Sequence, residues 1–299
     1  MNKAIMHINF AEIRGWQVGD KTIDDICKMA AEVGADGIEF RGTQPRELAH
    51  ISFREYVEQI AASKKKYGLS EILFGITVAD CANRDSSVRE KAVEEAIRKM
   101  RLVNDFCGTA VCNGFAARLL SPILSAPDKC YEFHGSAAAT REEWDLTVDS
   151  FQKIGKELET LGMKFAFETH MCYLHDTPAA AKKLVDLIDS PAVGLNMDYG
   201  NTVYFKEHPE VGETIDLYGD KLFYTHLKNS IALPGTPYRI ATALCDGQID
   251  HRRYLKKLKA VGFDGPIGIE APRSGDRRYY AEKDFTYYRW LVKEIGGVK

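Results

Sequence analysis

The sequence predicts an α/β fold, a (β/α)8 barrel of the TIM class. Three observations carry the prediction. Eight short apolar runs alternate with amphipathic stretches along the 299 residues, with no linker and no low-complexity segment. The runs are near-continuously apolar, as strands are when a parallel sheet is covered on both faces. The segment after the first run, AEIRGWQVGD, lacks the Gly-rich phosphate turn that an open doubly wound sheet carries there. Eight strand–helix units fit the usual length of one barrel, so residues 1–299 are expected to form a single domain.

The first strand is KAIMHINF at 3–10. Residues 22–35 then set Ile23, Ile26, Met29, Ala30 and Val33 on one helical face. GIEF at 37–40 is the second strand, and 47–68 is a helix stopped by Gly68. LSEILFGITV at 69–78 is the third strand, followed by a helix over 87–108 and the strand TAVCNGF at 109–115. Residues 116–140 form a loop far longer than the roughly 2–6 residues of an ordinary βα connection. A helix over 141–162 leads into the fifth strand, MKFAFET at 163–169. Asp176 and Pro178 signal the start of a helix over 176–189. VGLNMDYG at 193–200 and LFYTHLK at 222–228 are the sixth and seventh strands, with a short helix over 209–220 between them. A second long loop covers 229–249. Asp250 caps a helix over 249–262, PIGIEA at 266–271 is the eighth strand, and a helix near 280–295 follows.

Composition works by exclusion. Apolar content of 45% and charged content of 28% are those of a soluble globular protein. A net charge of −3 and a pI near 6.3 give no electrostatic footprint for nucleic acid. The opening MNKAIMHINF has no signal-peptide core, and no window approaches the roughly 18 apolar residues of a membrane span. A cytoplasmic protein with no membrane partner is expected. Cys27, Cys81, Cys107, Cys112, Cys130, Cys172 and Cys245 are odd in number and show no CxxC spacing, so reduced thiols are expected.

In such a barrel the active site lies at the C-terminal ends of the strands. The polar residues there are His7 and Asn9, Glu39 and Arg41, Asn113, Glu168 and His170, Asn196 and Asp198, His226 and Lys228, and Glu270. Residues i and i+2 on a strand point to the same side, so Glu168 and His170 are expected to share a face. Four successive strands deliver Glu168, Asp198, His226 and Glu270 to one rim. Three converging carboxylates repel one another, and a divalent cation resolves the conflict. Two Glu, one Asp and one His make an oxygen-rich ligand set suited to Mn²⁺ first, and also to Mg²⁺, Co²⁺ or Zn²⁺. His7, Glu39, Arg41, Asn113, Lys228 and Arg273 are the candidates for substrate binding, Arg273 for an oxygen or a phosphate. Trp16, Phe115, Tyr131, Phe133 and Tyr238 lie on or beside segments expected to cover the mouth.

FAFETH, GLNMDYGN, FYTHLKN and DGQIDHRRYLKKLKAVGFDGPIGIEAP give the chain a further meaning, because together they resemble the xylose-isomerase-like TIM barrels. These include sugar phosphate isomerases and epimerases, ketose 3-epimerases, hydroxypyruvate isomerases and inosose-processing enzymes. The resemblance implies that Glu168, Asp198, His226 and Glu270 are the metal ligands, and that Glu168 and Glu270 double as the acid/base pair. Related apurinic endonucleases carry a His three residues after the sixth-strand Asp, where this chain has Asn201, so DNA repair is not expected. Lys228 stands where ketose 3-epimerases usually place an Arg.

The activity expected is that of a metal-dependent sugar isomerase or epimerase. The metal acidifies the C–H beside a carbonyl, a base removes the proton, and an enediolate forms. His170 is an additional candidate base. The alternative is a carbon–carbon lyase, because the large subunit of bacterial C-glycoside deglycosidases, which work with a small β-sandwich chain, also resembles this sequence. A non-catalytic sugar-binding or scaffold barrel is the second alternative. The expected partners are a small sugar or glycoside and further copies of the chain, with a small second subunit if it is the lyase.

Overall fold

The computed structural model of the chain describes residues 2–7, 22–122, 131–270, 273 and 275–297. The strands are β1 (Ala4–His7), β2 (Gly37–Arg41), β3 (Glu71–Thr77), β4 (Val111–Phe115), β5 (Lys164–Glu168), β6 (Val193–Asp198), β7 (Leu222–Leu227), β8 (Asn229–Ala232), β9 (Arg239–Thr242) and β10 (Ile267–Ile269). All but β8 and β9 form a closed barrel in the order β1-β10-β7-β6-β5-β4-β3-β2. Its strands pair in parallel: Ile5 pairs with Gly37 and with Gly268, and Phe165 pairs with Cys112 and with Val193. The predicted (β/α)8 barrel is therefore the observed fold.

The helices between the strands are α1 (Ile23–Val33), α2 (Phe53–Tyr67), α3 (Ser86–Cys107), α4 (Arg141–Leu161), α5 (Pro178–Ile188), α6 (Tyr199–Thr202), α7 (Val211–Tyr218), α8 (His251–Ala260) and α9 (Arg277–Glu294). Local chemistry explains where they start. Thr22, Ser52 and Thr140 each close a capping box with the acid three residues on, Asp25, Glu55 and Glu143. Thr177 caps α5 with Pro178 as its first residue, and Asp250 caps α8 by accepting the Arg253 N–H. Gly68 ends α2 in the left-handed conformation.

The chain divides into two compact units, residues 1–74, 102–109 and 225–299 in one, and 75–101 and 110–224 in the other. In the first, Phe40, Phe53, Tyr56 and Phe74 form an aromatic core, with Phe40 and Phe74 centroids 6.2 Å apart. In the second, Phe165 and Phe167 of β5 lie against Phe151 of α4, at 5.1 and 4.5 Å. Those rings face the helix layer, so the alternation of β5 turns Ala166 and Glu168 to the other side. Gly114 of β4 permits this packing: a Cβ there would stand 2.0 Å from the Ile76 carbonyl oxygen and 2.6 Å from the Phe165 ring.

Several boundaries differ from expectation. The helix expected from 47 begins at Phe53, because Pro45 and the Ser52 cap divide the segment and leave only a 3-10 turn at Arg46–Leu48. The last helix begins at Arg277, where Asp276 accepts the Tyr279 N–H. The segment 229–249 is not a plain loop. It holds an antiparallel ribbon of β8 and β9, with Asn229 opposite Thr242 and Ile231 opposite Ile240. The Asn229 side chain fixes its base, donating to the carbonyls of Leu244 (2.9 Å) and Ile249 (3.0 Å) and accepting the N–H groups of Ser230 and Ile249. Asn9, Trp16 and the 3–10 strand beyond His7 lie outside the described residues, as do Cys130 and most of the first long loop's middle. The rest of that loop contains 3-10 turns at Tyr131–Phe133 and Gly135–Ala137. Phe133 and Tyr238 are exposed, whereas Phe115 packs on Tyr173 with centroids 4.7 Å apart.

Candidate functional site

In the first unit, the ends of β1, β2, β7 and β10 gather His7, Glu39, His226, Lys228 and Glu270. Glu39 is buried, and its Oε2 lies 3.0 Å from Nε2 of the fully buried His226. An ionised carboxylate only accepts, so Nε2 donates to it; a neutral ring then keeps its lone pair on Nδ1, and a protonated ring donates from both nitrogens. That Nδ1 faces Glu270 Oε2 at 3.4 Å. A carboxylate that accepts from one ring nitrogen and so orients the other is the arrangement metal-binding histidines use. His7 stands edge-on to His226, 3.6 Å from both Glu39 and Glu270. One donor atom each of His7, Glu39 and His226 lies within 4.8 Å of the others.

Lys228 donates to Glu270 Oε2 at 2.9 Å. Burial pushes the Glu270 carboxyl up, but Lys228, His7 and His226 together outweigh it and hold the group well below the usual carboxylate range. Glu270 is therefore an anion across the neutral range. Arg41 ends β2 as an exposed residue, and its carbonyl accepts the Tyr56 hydroxyl at 3.3 Å. Arg273 is built into the structure. It pairs with the buried Asp284, donates to the Tyr280 carbonyl at 3.3 Å, and stacks 4.4 Å above the Tyr280 ring.

In the second unit, amides surround the carboxylates. Asn113 donates to Glu168 Oε2 at 2.8 Å, and its own oxygen accepts from Asn196 at 2.9 Å. The Asn201 amide nitrogen lies 2.9 Å from Asp198 Oδ2, 3.0 Å from the Thr169 carbonyl and 3.3 Å from Glu168 Oε1. The Asn201 backbone N–H also donates to Asp198 Oδ1 at 3.2 Å. All these side chains are buried. Neutral donors are thus shared between Glu168 and Asp198 without adding charge.

His175 is the residue that sequence reasoning missed here. It is fully buried, accepts the Ala116 N–H at Nε2 (3.1 Å) and donates from Nδ1 to the Glu168 carbonyl (2.6 Å). Burial pushes its imidazole down to about 3, so it stays neutral. It thus ties the chain leaving β4 to the last residue of β5. No sequence signal marks it, because strand periodicity has ended by that point. β5 itself ends at Glu168, so strand alternation does not set the direction of His170. The His170 Nδ1 lies 3.0 Å from the Met171 carbonyl, with its ring edge-on to Phe115 and Tyr173.

Cys27, Cys81, Cys107, Cys112, Cys172 and Cys245 are free thiols, and burial pushes Cys27, Cys81 and Cys107 up to about 12. Those three thiols are poor nucleophiles at neutral pH. Among the described residues no helix is long and apolar enough to cross a membrane.

Comparison with known proteins gives consistent results. The family model described as xylose isomerase-like TIM barrel matches residues 27–291. An inosose dehydratase of Clostridium beijerinckii is 30% identical over 164 residues, covering 50% of this chain and 54% of that protein. The chain thus spans about half the length of the curated relatives it matches. Among solved structures, an L-ribulose 3-epimerase superimposes with a TM-score of 0.73 at 17% identity, covering 99% of this chain and 96% of that one. A xylose isomerase-like TIM-barrel protein from Mycobacterium smegmatis in complex with magnesium gives 0.74 at 18%, covering 99% and 98%.

Proposed function

The chain belongs to the xylose isomerase-like TIM-barrel family, and on that premise we propose that it is a divalent-metal enzyme that isomerises or epimerises a sugar or sugar derivative. The reading rests on four proposed ligands: Glu168 and Asp198, held by the amides of Asn113 and Asn201 in one unit, and His226 and Glu270, held by Glu39 and Lys228 in the other. Their strands are neighbours in the barrel order, β5, β6, β7 and β10. The donor set, two Glu, one Asp and one His, fits a hard-to-borderline cation, with Mn²⁺ the first choice and Mg²⁺, Co²⁺ or Zn²⁺ its rivals. Once bound, the ion polarises a substrate carbonyl and so acidifies the adjacent C–H.

The remaining work falls to the side chains. Glu168 and Glu270 are the proposed acid/base pair. Asn113 and Asn201 hold Glu168 as an acceptor, and Lys228 holds Glu270 ionised, so both carboxylates are ready to take a proton. Glu39 fixes the tautomer of His226. His170 remains a candidate base beside Phe115 and Tyr173, which offer flat apolar surface to a sugar ring. Proton removal beside a carbonyl gives an enediolate. Returning the proton to the opposite face epimerises, and returning it to the neighbouring carbon isomerises. The likeness to inosose dehydratase favours a second reading, in which the same proton removal is followed by loss of water.

Metal analysis of the purified chain tests the site. A stoichiometric divalent ion is expected in the wild type and should be absent from Glu168→Gln and Asp198→Asn. A folded wild type that binds no divalent ion would overturn the reading. Incubation with free ketoses and with inosose in D₂O separates the outcomes: deuterium at C2 or C3 of an intact sugar indicates isomerisation or epimerisation, and an unsaturated product indicates dehydration.

A further inference from the structure

The segment after β10 holds two arginines, each with two buried donor nitrogens that have no acceptor. The Arg273 side chain is only 8% exposed. Its Nη2 is committed to Asp284, but Nε and Nη1 have no hydrogen-bond partner. Arg277 opens α9, and its Nε and Nη1 are likewise buried and without partner. The neighbouring carboxylates are engaged elsewhere. Asp284 serves Arg273 and the Leu244 N–H, Asp276 caps α9, and Glu32 and Glu282 pair with Arg278. Asp284 thus takes one nitrogen of Arg273, and the Nε and Nη1 donors of both arginines are left over. Buried donors of a charged group left unmade cost more than an ordinary hydrogen bond contributes. A planar or tetrahedral oxyanion matches them, because guanidinium forks bind carboxylate and phosphate oxygens in pairs. The N-terminal end of the 18-residue α9 adds the positive end of its dipole.

We propose that Arg273, Arg277 and the first turn of α9 form an oxyanion site that receives the carboxylate or phosphate group of the substrate. Arg273 follows Glu270 by three residues, a chain length that spans at most about 11 Å. The substrate class is then an anionic sugar derivative, a sugar acid or a sugar phosphate, rather than a neutral ketose. Assigning the anion to the substrate rests on the sugar-enzyme reading above; the anion site itself does not.

Calorimetry on the full-length protein as purified provides the test. The probes are inorganic phosphate, malonate, and two matched pairs, D-ribulose with D-ribulose 5-phosphate and D-tagatose with D-tagaturonate. Arg277→Gln and Arg277→Lys are the variants, because Arg273→Gln would strand the buried Asp284 and put folding at risk. At least one bare anion should bind the wild type, at least tenfold weaker in Arg277→Gln and by an intermediate amount in Arg277→Lys. At least one charged sugar should bind tenfold or more tighter than both its neutral partner and the bare anion, and Arg277→Gln should erase that gain. Equal anion binding by wild type and Arg277→Gln, or none by either, overturns the site. Anion binding with no gain for either charged sugar overturns the assignment to substrate and leaves a free-anion site. Asp198→Asn separates this outcome from the metal reading, since it should lose the metal and keep the anion.

Discussion

Replacing His175 with leucine should destabilise the protein by about 2–6 kcal/mol, although leucine nearly matches its volume. The figure follows from two contacts, the 3.1 Å bond from the Ala116 N–H and the 2.6 Å bond to the Glu168 carbonyl. Both backbone groups would stay buried without partners, at roughly 1–3 kcal/mol each. Against a total stability of about 5–15 kcal/mol, that is a large fraction. At roughly 2–4 °C per kcal/mol for a chain of this size, Tm should fall on the order of 10 °C. Urea titration followed by circular dichroism reads the free energy, and a thermal scan reads Tm. Glutamine, which keeps one donor and one acceptor, should recover part of the loss. A His175→Leu protein within about 0.5 kcal/mol of wild type, below the range set by two orphaned backbone groups, would refute the reasoning.

Three further outcomes follow from the structure. Gly114→Ala should cost about 1–3 kcal/mol or more by overpacking, whereas Gly212→Ala, with nothing within 4 Å of its new methyl, should be neutral or slightly stabilising in the same urea titration. His251 is fully buried, and burial pushes it down to about 4 from its ordinary 6.5. Between those values the unfolded chain takes up a proton that the folded chain refuses. Its contribution of about 3 kcal/mol is therefore complete above pH 6.5 and lost as pH falls towards 4, and urea midpoints measured from pH 7.5 to 4 should flatten in that window for His251→Gln. Asn201→Ala should weaken divalent-metal affinity about 10–100-fold with the circular dichroism spectrum unchanged, read by competition with a chelator dye; an unmoved affinity would remove Asn201 from any orienting role.

The barrel was legible because its signal is repeated. Each strand of near-continuous apolar residues and each amphipathic helix is ambiguous alone, but eight in succession fit few architectures. The polar tips were legible for the same reason, since strand ends and the (β/α)8 class together name the rim. Other features had no periodic signal. The β8–β9 ribbon has four-residue strands of mixed composition and mixed burial, and Asn229 anchors it to residues 244 and 249. His175 works beyond the strand end, through backbone atoms distant in sequence from it. Arg273 reads as a free loop cation in sequence, yet Asp284, eleven residues on, takes one end of its guanidinium. Partners of this kind are set by tertiary approach, which neither composition nor spacing encodes.

The anchoring of the β8–β9 ribbon at its base has a practical consequence. Asn229, the Gln248 oxygen that accepts the Ala232 N–H, and Arg239 bonded to Ser230 and Gln248 all act near the root or along the strands. The tip, from Leu233 to Tyr238, is closed only by its own turn and is largely exposed. Cutting the chain at Gly235 would leave the anchors intact. The ribbon tip is thus a natural position for circular permutation or for grafting a reporter domain, which would place new termini or a fluorescent cargo one short strand beyond the strand that carries His226.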